Sequence, residues 1–158
     1  MNEKTKQFIT YLAKNYIPAT VTSLMKLAYL IDLISVTKKE GQISNFIYRR
    51  YNYGPFDKDI YNCILELVDE KLLLEGIQYT PQADEYIVYR FNEDDEKSSF
   101  NKLSMKEKKT IDGVLESLKG LGAKALSEIT YKTKPIMAIG AKPDNNKGLN
   151  KVLDLNKK

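Results

Sequence analysis

Apolar residues recur at helical spacing from the start of the chain. Phe8, Tyr11, Leu12 and Asn15 or Tyr16 share one side of a segment from Glu3 to Tyr16, the period of a helix packed along one face. Pro18 breaks that pattern. Thr20 or Thr22 then stands where a helix cap is wanted. The next helix is predicted to run to about Lys39, with Lys38 and Lys39 in its last turn and Gly41 just beyond. Leu24, Leu27, Ala28, Ile31 and Ile34 form one face of it, and Tyr29, Leu30 and Leu33 add apolar surface on other sides. A helix apolar nearly all round belongs at the centre of a core.

Beyond it the signals are shorter. Residues Ser44 to Tyr51 fit either a strand or a short helix. Tyr53-Gly54-Pro55-Phe56 reads as a turn, since Gly54 tolerates positive φ and Pro55 fixes its own. Asp57 to Leu74 is predicted as a third helix, with Ile60, Ile64, Leu67 and Val68 facing the core. Two alternating stretches, Gly76 to Thr80 and Glu85 to Phe91, flank Pro81-Gln82-Ala83-Asp84 and predict a β-hairpin. Ser104 and Glu107 form a capping box for a helix burying Ile111, Val114, Leu115 and Leu118, which stops at Gly120 or Gly122. A short helix from Ala123 to Lys132 follows, with Pro135 expected to end it.

The expected fold is therefore mainly α with a small β-hairpin, an α+β domain. A compact helical body surrounds the central apolar helix, and a winged-helix-like hairpin follows the third helix. One domain is expected over residues 1–140, with an acidic internal linker at 92–103. A Lys/Asn-rich tail at 141–158 is expected to be partly disordered.

Charge is segregated along the chain. Residues 1–50 carry a net +5, residues 51–100 a net −8 and residues 101–158 a net +7. The basic thirds keep open a DNA- or RNA-binding regulator. The winged-helix segment argues against it: residues 57–91 hold three basic residues against eight acids, whereas a phosphate-facing helix should be basic. There is no histidine, which removes the commonest general base, the usual nucleophile triads and most zinc sites. No glycine-rich phosphate loop occurs. No catalytic residue, cofactor or metal is therefore expected. No apolar run reaches the length of a membrane span. The one cysteine, Cys63, reads as a buried inert thiol and suits a reducing, cytoplasmic setting.

Two clusters remain as candidate binding residues. Lys26, Tyr29 and Asp32 fall three residues apart on the apolar helix, within about 120° of arc. They form either a solvated edge, a Lys–Asp pair or a polar seam lining a groove. Arg49 and Arg50 lie among Tyr48, Tyr51 and Tyr53, the residue types that most often anchor interfaces and that also grip phosphates and bases.

Thr22 to Asp32, with its Leu24, Lys26, Leu27, Tyr29, Leu30 and Asp32, resembles the signature helix of the SocA-like or Panacea antitoxin domain. Gly41-Gln42-Ile43-Ser44 is similar to the turn that follows it, and Tyr53-Gly54-Pro55-Phe56 through Ile60-Tyr61 is similar to the next conserved piece. Leu126 to Tyr131 with Pro135-Ile136 resembles a later segment, except that Tyr131 replaces the family's usual histidine and Ile136 its usual tryptophan. The resemblance spans roughly residues 5 to 140. It implies a mostly helical antitoxin of a toxin–antitoxin or phage-defence system, neutralising a cognate toxin by direct binding or delivering it to a protease. It also implies Lys26, Tyr29, Asp32, Tyr53, Gly54 and Pro55 as the signature site, with Arg49 and Arg50 beside it.

Overall fold

The structure is a computed structural model that describes residues 2–96 and 98–157. It opens with α1 (Glu3–Asn15), started by Asn2, whose side chain accepts the Thr5 N–H. The apolar stripe of α1, including Phe8, Ile9, Leu12 and Ala13, is buried. The second helix, α2 (Val21–Thr37), begins with a reciprocal capping box between Thr20 and Ser23. It ends two residues earlier than its periodicity suggests, where Lys39 and Gly41 take positive φ. Residues on every side of α2 are buried from Ser23 to Asp32, as expected of a central helix.

Two short strands follow, β1 (Arg49–Tyr51) and β2 (Gly54–Phe56), paired with Arg50 opposite Pro55. The expected turn is thus displaced: the chain reverses at Asn52 and Tyr53, and Gly54–Phe56 is a strand. The third helix, α3 (Lys58–Asp69), is shorter than its apolar run. Lys71 turns left-handed (φ 61°). The Leu72 N–H reaches back to Leu67 O and the Lys71 N–H to Val68 O, the closure that stops a helix with two carbonyls satisfied. Residues expected in its last turn therefore join β3 (Leu73–Tyr79), which pairs with β4 (Glu85–Phe91).

The remaining helices are α4 (Met105–Ser117), capped by Ser104 and Glu107 as expected, α5 (Ala123–Thr130) and α6 (Lys134–Met137). Pro135 does not terminate a helix; it lies in the first turn of α6, where its missing N–H costs nothing. The described residues thus form six helices and two antiparallel hairpins. Helices α1, α3, α4 and α5 all pack on α2. The acidic segment after β4 is tied into this body, since Leu103 is buried and Phe100 meets Tyr11 edge-on at 5.2 Å.

Composition suggests a loose tail after residue 141, but residues 141–157 lie against the domain. The Arg50 N–H donates to Lys151 O, the Asn150 N–H to Arg50 O and the Leu153 N–H to Tyr48 O, each within 2.9 Å. The segment runs beside β1, and buried Leu153 anchors it. Among the described residues, no helix is long and apolar enough to cross a membrane.

Candidate functional site

The polar residues of α2 are enclosed, and each is tied to a different part of the chain. The Lys26 ammonium is buried and donates to the Pro55 carbonyl at 2.8 Å. Burial lowers its pKa to about 8, because the charged form is the one that loses water. The Tyr29 hydroxyl shares a 2.7 Å hydrogen bond with Thr133 Oγ1, just past α5. Burial pushes that hydroxyl up to about 12.

Asp32 is the hub. Its carboxylate accepts the Ile43 N–H at 2.9 Å, the Ser44 N–H at 3.1 Å, the Ser44 hydroxyl at 2.5 Å and the Tyr48 hydroxyl at 2.8 Å. Burial raises its pKa, while the four donors pull the other way. These bonds fold residues 43–48 over the end of α2 and deliver the chain to β1. Tyr48 then meets Tyr29 edge-on at 5.4 Å, closing the cluster with a favourable ring geometry.

The β1–β2 hairpin is held from the other side by α5. Gly54 has φ 109°, and a Cβ there would come within 2.8 Å of Thr130 Oγ1, so only glycine lets the strand sit so close. The Ser127 hydroxyl donates to Tyr53 O, and the Tyr131 hydroxyl donates to Asn52 O at 3.1 Å. Tyr131, where the family's histidine is expected, thus holds the hairpin turn. Pro55 is buried beneath it.

The two arginines part company. Arg49 is exposed and reaches Asn150 O at 3.1 Å. Arg50 is fully buried: one terminal nitrogen donates to Lys142 O at 2.9 Å and Asn145 O at 2.7 Å, and its guanidinium lies 5.8 Å from the Tyr131 ring centre. What this framework presents outward is Tyr53, 74% exposed. It stands beside a groove of about 470 Å³ lined by Ala123, Ser127, Tyr131 and Pro143. Sequence reasoning does not count Ser127, Thr130 and Thr133 as site residues; the signal for Ser127 and Thr130 is their place in the resembling segment Leu126 to Tyr131, and Thr133 has none.

Of the predicted residues, the structure brings Lys26, Tyr29, Asp32, Gly54 and Pro55 into one buried scaffold and leaves Tyr53 and Arg49 at its surface. The result is a helical domain with a buried polar brace beneath one displayed aromatic. The family described as Antitoxin SocA-like, Panacea domain matches residues 24–135, more than half of the chain, and the protein belongs to that family. Membership suggests a toxin–antitoxin or defence role with a toxin as partner, and a non-enzymatic one. No curated protein and no solved structure matches the chain.

Proposed function

We propose that this protein is an antitoxin that neutralises its cognate toxin by direct binding, with the toxin seated on the Tyr53 face. The observation that carries this reading is the contrast between Tyr53 and its supports. Its carbonyl is held by Ser127 and that of the preceding Asn52 by Tyr131, and the hairpin below is held by Lys26 at Pro55. Yet its ring stands in water beside a mostly apolar groove. An exposed tyrosine on a backbone already held in place loses little backbone entropy on contact and is a frequent interface anchor. Arg49, at the same hairpin, adds an accessible charge. The buried signature residues act here as positioning groups.

Co-expression with the product of the adjacent gene tests the reading. Tyr53→Ala should lose growth rescue and pull-down of that product while melting as the wild type does. A truncated hot-spot tyrosine costs about 2 kcal/mol or more of binding. Full rescue by Tyr53→Ala would move the toxin to another face.

A further inference from the structure

The β3–β4 hairpin has an edge that the fold leaves half used. The Thr80 N–H donates to Asp84 O at 2.9 Å, closing the hairpin. Counting by two from that pair, Gln78–Tyr86, Gly76–Val88 and Leu74–Arg90 exchange the ladder bonds. Glu85, Ile87 and Tyr89 must then turn their backbone groups away from β3. Tyr89 confirms the phase, for its N–H donates to Ala19 O at 2.7 Å. Ala19 is thus the first rung of a third strand that goes no further. The outward groups of Glu85 and Ile87 have no protein partner among the described residues.

A groove of about 790 Å³ runs along this edge, between the hairpin and the start of α2. Ile87 and Tyr79 beside it are 47% and 62% exposed. Its lining holds four tyrosines, Tyr61, Tyr79, Tyr86 and Tyr89, and two glutamates, Glu75 and Glu85. Among the described residues it holds no lysine or arginine, in a chain with 25 of them. Exposed strand edges template the addition of another strand, and tyrosine faces attract cations.

We propose that the outer edge of β4, continuing from Ala19, receives an extended segment of a protein partner as a third strand, and that this segment carries lysine or arginine that meets Glu85 on the neighbouring strand and reaches across the groove to Glu75 and the tyrosines. An acidic segment or a nucleic-acid backbone would meet the two glutamates instead. The proposal rests on the protein-binding reading above but uses the β4 edge rather than Tyr53; the two grooves adjoin at Thr22 and Ala123.

The test is amide NMR on the full chain, titrated with a synthetic peptide alternating valine and lysine and with its valine–glutamate counterpart. The lysine peptide should shift the Glu85 and Ile87 amides and slow hydrogen exchange at Ile87; the glutamate peptide should not. Ile87→Pro deletes an outward N–H while sparing the ladder to β3, and should abolish binding. Reversing both charges, Glu75→Lys with Glu85→Lys, should weaken binding about tenfold with melting unchanged. If Ile87→Pro fails to fold, the charge reversal decides. Equal binding of both peptides, or no response at β4, overturns the proposal. Tyr53→Ala should keep peptide binding, so loss of rescue with that variant tests the antitoxin reading separately.

Discussion

Lys26 donates its ammonium to the carbonyl of Pro55 and forms no ion pair with Asp32, six residues along the same helix. Lys26 and Asp32 are therefore independent polar anchors of the signature helix. One grips the β1–β2 hairpin and the other the segment leading into it. Each is expensive to bury and each has measurable consequences.

Alkaline stability reports on Lys26. Burial lowers its pKa from 10.5 to about 8, so above about 8 the unfolded chain holds a proton that the folded chain has shed. Stability should rise with pH from there. Above pH 9.0 the opposite sign enters, because burial pushes the Cys63 thiol up to about 12 and Tyr29 from 10.0 to about 12. The folded chain then keeps protons that the unfolded chain releases. Melting temperature against pH should climb and then fall, and Lys26→Met should remove the climb. A wild type with no climb would place the ammonium in water.

Asp32→Asn keeps the size but turns an acceptor toward the donors into a donor. The carboxylate accepts five bonds, and the amide nitrogen would either displace the Ile43 and Ser44 N–H donors or face the Gln42 amide and force the Ser44 and Tyr48 hydroxyls to reverse. Urea unfolding should show a loss of about 3 kcal/mol or more, the scale of charge-assisted bonds. Tyr48→Phe removes a single donor and should cost about 1.5 kcal/mol. A neutral Asp32→Asn would mean that solvent reaches the carboxylate.

Gly54→Ala meets two obstacles, a φ of 109° and the Thr130 hydroxyl at 2.8 Å. The expected loss is about 1–3 kcal/mol. Adding Thr130→Ala should restore part of it, since the contact goes and the backbone strain stays. Full restoration would show that the strain counts for nothing.

Leu153→Ala tests the C-terminal segment. Leu153 is buried and donates its N–H to Tyr48 O. Truncation should cost about 2 kcal/mol or more and speed hydrogen exchange at the Arg50 amide, which bonds to Lys151 O. Unchanged exchange there would mean that the segment does not guard β1.

What the sequence makes legible follows from range. The α2 helix is plain because its apolar residues lie within one continuous stretch, and α4 because Ser104 and Glu107 sit three residues apart. The β1–β2 hairpin is not, since its three-residue strands carry almost no periodicity and are held by Lys26, Ser127 and Tyr131 from afar. The stripe of Lys26, Tyr29 and Asp32 is visible, but periodicity reads any polar group as facing outward. The partners that let Asp32 stay inside arrive 11 to 16 residues later. Arg50 looks like an interface anchor by type and neighbourhood, yet its enclosure depends on Lys142 and Asn145. In the tail, polar composition hides the buried Leu153 and the backbone bonds that tie the segment to β1.

The order of synthesis gives that tail a temporal meaning. Residues 141–157 are made after everything they cover. While the ribosome adds them, over a period on the order of seconds, the nascent domain has β1 without its neighbour and the Arg50 guanidinium without its two carbonyls. The finished surface around Arg49 therefore forms only once residues 142–153 are there to cover β1 and the Arg50 guanidinium.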